Sequence, residues 1–250
     1  MALRDTVRTL SHSLARPLAR PLLGAALGLG LAGAVLLPRL PAFAEEAPRR
    51  LPEAATRSAE PPGPRVAVFA GGCFWGVQGV FQHVRGVSGA VSGYAGGTRA
   101  EADYRTVSGG GTGHAEAVSV TYDPSVIRYD ELLRIFFSVA LDPTQVDRQG
   151  PDAGRQYRSA LFPQDSDQAR VARAYIAQLD AAQAYARPVA TRIEPGAAFY
   201  PAEGYHQDFM ALHPGHPYIA ANDAPKLEAL RSLFPERTAA QPVLVNRPPA

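Results

Sequence analysis

The hydrophobic pattern divides the chain into short strands and helices that alternate without a regular parallel-unit spacing. Val66-Ala67-Val68-Phe69 is a short apolar run, the pattern of a buried strand. After it, Phe74, Val77, Val80, Phe81 and Val84 recur at helical spacing and make one apolar stripe. Gly71 and Gly72 stand at the junction, where a strand must turn sharply into a helix. Gly86 to Gly97 carries Val87, Val91 and Tyr94 among glycines and reads as a bent or bulged strand. Tyr104 follows in a loop, and Gly109 to His114 is a flexible turn. Ala115 to Tyr122 alternates as a strand, and Glu116 shares its face with Val118, Val120 and Tyr122. Asp130 reads as the N-cap of a helix that turns Leu132, Leu133, Phe136 and Phe137 inward.

Asp142-Pro143-Thr144 ends that helix, and Gln145 to Gln156 is a polar loop. A strand over 157–162, a helix over 166–182 and a strand over 189–193 follow. The aromatic-rich stretch 199–209 carries His206, on a short helix. A last helix over 225–234 starts behind Asn222 and Asp223 as caps. The pattern predicts an α+β fold, a two-layer sheet with helices on its faces, whose glycine-rich turns allow antiparallel pairing.

Charge changes the picture at the ends. Arg4, Arg8, Arg16 and Arg20 precede an uncharged apolar run from Leu22 to Leu37, too short for a comfortable membrane span. Ala42-Phe43-Ala44 then fits the small-x-small cleavage rule. Residues 1–44 are expected to be an export signal, which places the protein in the periplasm; an uncleaved N-terminal membrane anchor is the alternative. These residues hold five arginines against one aspartate, so cleavage leaves a mildly acidic chain, and the basic balance implies no nucleic-acid partner. Residues 45–64, rich in Pro, Ala, Arg and Glu without periodicity, are expected to be a flexible linker. The domain is expected over 65–236, and 237–250 as a mobile tail.

Candidate chemistry centres on Cys73, the only cysteine. It falls at or just inside a helix N-terminus, where unpaired N–H groups and the macrodipole favour a thiolate. Trp75, the only tryptophan, lies about 100° round the helix from Phe74 and off the apolar stripe, as the wall of a shallow site would. The bland alternative is a small buried hydrophobe. Glu116, at the end of a buried face, is either a desolvated general acid or a strand-end carboxylate reaching solvent; the pattern leaves both open. His114 and His206 are available as bases for a thiol. By pattern alone Tyr104 and Tyr157 read as core or surface aromatics. No metal spacing and no phosphate-binding loop is present, and one cysteine excludes an intrachain disulfide.

Gly72-Cys73-Phe74-Trp75-Gly76, Gly113-His114-Ala115-Glu116-Ala117-Val118 and Gln156-Tyr157-Arg158-Ser159 together resemble the peptide-methionine (S)-S-oxide reductases, the A type. The resemblance runs from about Arg65 to Phe234. It includes Tyr94-Ala95-Gly96-Gly97, Tyr122-Asp123-Pro124, Arg148-Gln149-Gly150-Pro151-Asp152, Phe199-Tyr200-Pro201-Ala202-Glu203 and Tyr205-His206-Gln207. It implies a two-layer α/β sandwich with a ferredoxin-like core, a mixed and largely antiparallel sheet, and no cofactor. It implies that Cys73 attacks the sulfoxide sulfur, that Glu116 protonates the oxygen, and that Tyr104 and Tyr157 hydrogen-bond that oxygen. It further implies that Phe74 and Trp75 cup the substrate's ε-methyl group, with Asp152 and His206 holding and tuning the thiolate side. The partners implied are oxidised proteins or peptides containing methionine sulfoxide and, because the tail carries no recycling cysteine, an external thiol: a thioredoxin-like protein, a glutaredoxin or a small thiol.

Three other readings compete. A single-cysteine thiol peroxidase would also form a sulfenic acid but needs no carboxylic acid facing an apolar cup. A cysteine hydrolase needs a Cys–His pair and leaves the Phe-Trp cup unexplained. A non-enzymatic peptide-binding domain using Trp75 would keep its function in Cys73→Ser.

Overall fold

The computed structural model describes residues 45–246. The expected signal sequence, residues 1–44, lies outside the described residues.

The first strand, β1 (Arg65–Gly71), runs into helix α1 (Phe74–Gln82), then β2 (Val87–Ala95), the short helix α2 (Tyr104–Ser108) and β3 (Ala115–Tyr122). Helix α3 (Tyr129–Ile135) is extended by a π-helical turn, Phe136–Ala140. A small hairpin of β4 (Arg148–Gln149) and β5 (Asp152–Ala153) leads to β6 (Ser159–Phe162) and α4 (Ser166–Ala181). The chain closes with β7 (Arg192–Ile193), β8 (Phe199–Pro201), α5 (Phe209–Leu212) and α6 (Ala224–Leu233).

Six strands form one sheet in the order β7-β6-β1-β3-β2-β8. Its four central strands, β6-β1-β3-β2, pair antiparallel and carry helices after β1 and β3, which is the ferredoxin-like core. Only β6 and β7 run parallel. The mixed, largely antiparallel sheet expected from the chain is therefore present.

The alternation of β1 sorts its side chains onto two faces. Ala67 and Phe69 join the larger core with Val118, Val120, Tyr122 and Leu161; Val68 and Ala70 join a thin layer of small residues with Ala115, Ala117 and Ala160. Phe69 is the keystone of the larger core. Its ring centroid lies 4.7 Å from that of Phe81 and 5.1 Å from that of Phe136. Truncation of a phenylalanine so placed costs about 3–5 kcal/mol.

Helix α1 departs from the single stripe expected of it: every residue but Trp75 is buried. Its polar side chains are buried because they are bonded. The Gln78 amide donates to the Ala90 carbonyl (3.0 Å) and to Gln207 Oε1 (2.9 Å), and that of Gln82 donates to Asp208 Oδ1 (2.6 Å). The helix is thus sandwiched between the sheet and the chain around 203–223.

Two expectations about the ends are corrected. Residues 45–64 are not a loose linker. Leu51 is only 2 % exposed and its N–H donates to Ser138 Oγ (3.2 Å). The Ser58 N–H and hydroxyl both donate to Asp130 Oδ1 (3.1 and 2.9 Å), and the Tyr129 N–H donates to Glu60 (2.9 Å). Point anchors of this kind leave no periodic trace. The tail is likewise fastened as far as it is described. Ala239 and Val243 N–H groups donate to the His83 and Gln82 carbonyls, and those of Val245 and Asn246 donate to the Asp208 carboxylate.

Local chemistry explains other differences. Asp130 faces Ser58 and Arg128 instead of capping α3, and the Glu131 carboxylate takes the Arg128 N–H (3.0 Å) at that terminus. Asp223 occupies the N-cap position of α6 but makes no capping bond, and its carboxylate pairs with Lys226 at 3.0 Å.

Candidate active site

The site is built where β1 turns into α1. Gly72 has φ +88°, a conformation that L side chains rarely adopt, and a Cβ there would stand 2.5 Å from the Cβ of Gln149. The turn sets Cys73 at the N-cap of α1, with its thiol buried. A Cβ on Gly76, one turn on, would fall on the Asp223 carboxylate, so this face of α1 must be bare for Asp223 to approach.

Glu116 comes from the adjoining strand. It pairs across to Tyr94 near the start of β3, on the face of the larger core, and is 3 % exposed. Its carboxyl accepts the Phe74 N–H at 3.0 Å, the first free donor of α1 after the cysteine. Burial pushes the Glu116 carboxyl up to about 8; the Phe74 bond works against that shift, while the nearby Asp152 and Asp223 charges add to it. It is therefore held as the neutral acid at neutral pH.

The same dryness reverses the expectation for Cys73. Burial pushes the thiol well above its ordinary range, and Glu116 and Asp223 add to the rise; the Trp75 N–H and the Lys226 ammonium only partly oppose it. Without substrate the nucleophile is a thiol, because desolvation outweighs the helix N-terminus.

Tyr104 and Tyr157 approach from separate segments. Tyr104 opens α2 instead of lying in a loop; Asp103 caps that helix by accepting the Thr106 N–H (3.0 Å). Glu203 clamps it, taking the Tyr104 N–H at 2.8 Å and the Tyr94 hydroxyl at 2.9 Å. Tyr157 ends a 3-10 turn ahead of β6 instead of lying in the strand. Burial raises both phenols, and ionisation of Glu116 or Cys73 would raise them further. Both hydroxyls are hydrogen-bond donors in the neighbourhood of Glu116 and Cys73.

Trp75 stacks on Phe209 with centroids 3.8 Å apart, and its indole N–H donates to His206 Nδ1 at 3.2 Å. Phe74 is buried beneath, 5.9 Å from Tyr94 and 5.0 Å from His206. His206 packs within 4.5 Å of the Tyr104 ring, and burial lowers its pKa. It packs on the aromatic side of the site and braces Trp75. Asp152 does lie on the thiolate side. It accepts the Tyr218 hydroxyl and lines, with Cys73, a cavity of about 260 Å³. His114 is locked in the backbone, its ring bonded to the Thr98 carbonyl (2.8 Å) and the Gly97 N–H (3.3 Å), and is no base for the thiol.

Sequence reasoning missed Glu203, Phe209, Tyr218, Asp223 and Lys226 as parts of this neighbourhood. Asp223 gave a misleading signal, since it precedes a helix and looks like a cap. Among the described residues no group of three or more His, Cys, Asp or Glu is arranged to hold a metal ion.

A buried thiol, a protonated carboxyl at its helix terminus, two phenols and an indole wall can bind a small polar oxo group beside an apolar substituent. Residues 65–238 match the family model for peptide methionine sulfoxide reductase. The chain belongs to that family. A peptide methionine sulfoxide reductase MsrA 2 of Mesorhizobium japonicum is 58 % identical over 184 residues, 74 % of this chain and 94 % of the relative. One from Synechocystis is 54 % identical over 179 residues, 72 % and 84 % of the two chains. The reduced form of Mxr1 from Saccharomyces cerevisiae superposes with a TM-score of 0.56 at 33 % identity, covering 65 % of this chain and 92 % of that one. The protein is a peptide-methionine (S)-S-oxide reductase, and it reduces methionine sulfoxide in the repair of oxidised proteins. In this reductase the strand-to-helix turn and the buried acid both lie within the matched region.

Proposed function

We propose that this reductase works through a sulfenic acid on Cys73 that an external thiol resolves. The observation that carries the reading is the neutral, buried Glu116 carboxyl bonded to the residue next to Cys73. The sulfoxide oxygen is seated by the Tyr104 and Tyr157 hydroxyls and by Glu116, and the ε-methyl group rests on Trp75 with Phe74 beneath it. Glu116 gives its proton to the oxygen, which makes the sulfur electrophilic. Cys73 attacks as its own proton passes to the emptied carboxylate. The S–O bond of the substrate breaks and a Cys73 S–O bond forms. Methionine leaves, reduced by two electrons, and Cys73 is left as a sulfenic acid.

With one cysteine in the sequence, no second thiol of the chain can condense with that sulfenic acid. An external thiol displaces the hydroxyl as water, and a second thiol reduces the mixed disulfide. Asp152 and His206 act by position, the first beside the thiol and the second behind Trp75. The arginine-led apolar run and the Ala42-Phe43-Ala44 site support export to the periplasm, where that thiol would be met.

The test is a single turnover without added thiol, using one equivalent of each resolved epimer of a methionine-sulfoxide peptide. One equivalent of methionine from the S epimer alone, with a trapped sulfenic acid on Cys73, is expected. Peptide binding that persists in Cys73→Ser while no methionine forms in the parent chain would overturn it.

A further inference from the structure

The cavity that reaches Cys73 is closed on one side by residues 45–48, the start of the strap that lies N-terminal to the family's matched region. That wall is held in place. The Glu46 N–H donates to Asp142 Oδ2 (3.1 Å), its carboxylate accepts the Ala186 N–H (2.7 Å) and pairs with Arg49, and Arg49 and Leu51 are tied to Ser138. Glu116, Tyr104 and Tyr157 contribute nothing to the lining. The thiol therefore has two faces, one towards the acid and the phenols and one towards the cavity and the strap.

We propose that this cavity is the port through which the reducing thiol reaches oxidised Cys73, and that the strap governs which thiols pass. The inference rests on the sulfenic-acid reading. Displacement at divalent sulfur is in line, with the incoming sulfur opposite the leaving oxygen. The oxygen of the Cys73 sulfenic acid came from the substrate, so it lies towards Glu116. The incoming thiolate must then arrive from the face that Glu116 does not occupy, which is the cavity. The Cys73 S–O bond breaks, an S–S bond forms, and the hydroxyl takes a proton and leaves as water. A second thiol exchanges with the mixed disulfide, returning Cys73 to a thiol and carrying away the oxidised disulfide. The carboxylates of Glu45, Glu46 and Asp152 line the port; Arg49 pairs with Glu46, and the Lys226 ammonium pairs with Asp223, so Glu45 and Asp152 leave the port negative. A thiol bearing a cation or no charge is favoured over an anionic one.

The experiment uses the full chain. Cys73 is first oxidised with one equivalent of the S-epimer peptide, and methionine release is timed. The sulfenic acid is then mixed with cysteamine, with mercaptoacetate at equal thiolate concentration, or with a reduced Cys-x-x-Cys protein, and its loss is followed by intact mass. Ala47→Trp and Ala221→Trp fill the port from its two exposed walls. Each is expected to slow resolution at least tenfold while methionine release stays within twofold. Cysteamine should outpace mercaptoacetate more than fivefold, and Glu45→Lys should narrow that gap. If only the small thiols are slowed by the tryptophans, the port admits free thiols; if the protein dithiol is slowed too, it admits a protein cysteine; either supports it. Resolution that ignores both tryptophans, or that falls in step with methionine release, overturns the port alone. Methionine formed in the parent chain without a sulfenic acid overturns the underlying reading and the port with it.

Discussion

The Phe74 N–H lies 3.0 Å from the carboxyl of Glu116, so the first free amide of the nucleophile's helix is bonded to the acid from the neighbouring strand. A carboxyl in that position sits between two pulls, since the amide favours its charged form and burial its neutral form. Burial wins, and the group stands at about 8. One short link thereby fixes the acid beside the sulfur and keeps its proton available.

That value predicts the alkaline limb of the reaction. Single-turnover methionine formation should be level through neutral pH and fall tenfold per unit above about 8 as Glu116 loses its proton. Glu116→Gln, which keeps an acceptor for Phe74, should lose about 10²–10⁴ in rate and lose the limb. An unchanged limb in the variant would assign the titration to another group.

The same group should leave a mark on stability. Its folded value lies above the ordinary 4.5, so between about 4.5 and 8 the native chain holds a proton that the unfolded chain has released. This contribution is fully present below 4.5, is lost as pH rises through the window, and levels off above 8. The slope from one proton is at most about 1.4 kcal/mol per pH unit. Urea unfolding at several pH values should show the parent chain losing stability relative to Glu116→Gln across the window; parallel curves would contradict the assignment.

Because Trp75 is the only tryptophan, its fluorescence reports the His206 bond directly. Protonating His206 removes the Nδ1 acceptor. Burial holds that event below the ordinary histidine range, so the emission should change with a midpoint under 6.5. His206→Ala should abolish the transition and raise KM for the sulfoxide peptide about tenfold, with a smaller effect on kcat. Equal losses in both would show that His206 does more than brace the indole.

Leu51→Ala tests the strap as part of the domain. A leucine 2 % exposed loses about 2–5 kcal/mol on truncation. Thermal unfolding should shift down in one cooperative step, and limited proteolysis should begin to cut within 45–64. An unshifted midpoint would return that segment to the status of a linker.

The strands and helices of the central core were legible because their apolar periods survive burial: β1, β3, α4 and α6 fall within a few residues of the pattern. For Glu116 the pattern left a buried acid and a solvent-reaching carboxylate both open, because a strand-end position shows the face but not the depth of burial. The strap and tail were not, since they are fixed by single hydrogen bonds to backbone and carboxylate groups and not by repeating side chains. Helix α1 misled in a different way. Its glutamines look like a solvent face, but Gln207 and Asp208, about 130 residues away, accept hydrogen bonds from their side-chain amides. The charge state of Cys73 was read wrongly from local geometry, because the N-terminus of a helix is visible in sequence and the depth of its burial is not.

The sheet ends in a two-residue strand on one side and a three-residue strand on the other. Each of these edge strands offers only a short run of N–H and C=O groups to a foreign strand. A repair enzyme works among oxidised chains, some of them part-unfolded and searching for a template. Edge strands as short as these make a poor template on which such clients could aggregate.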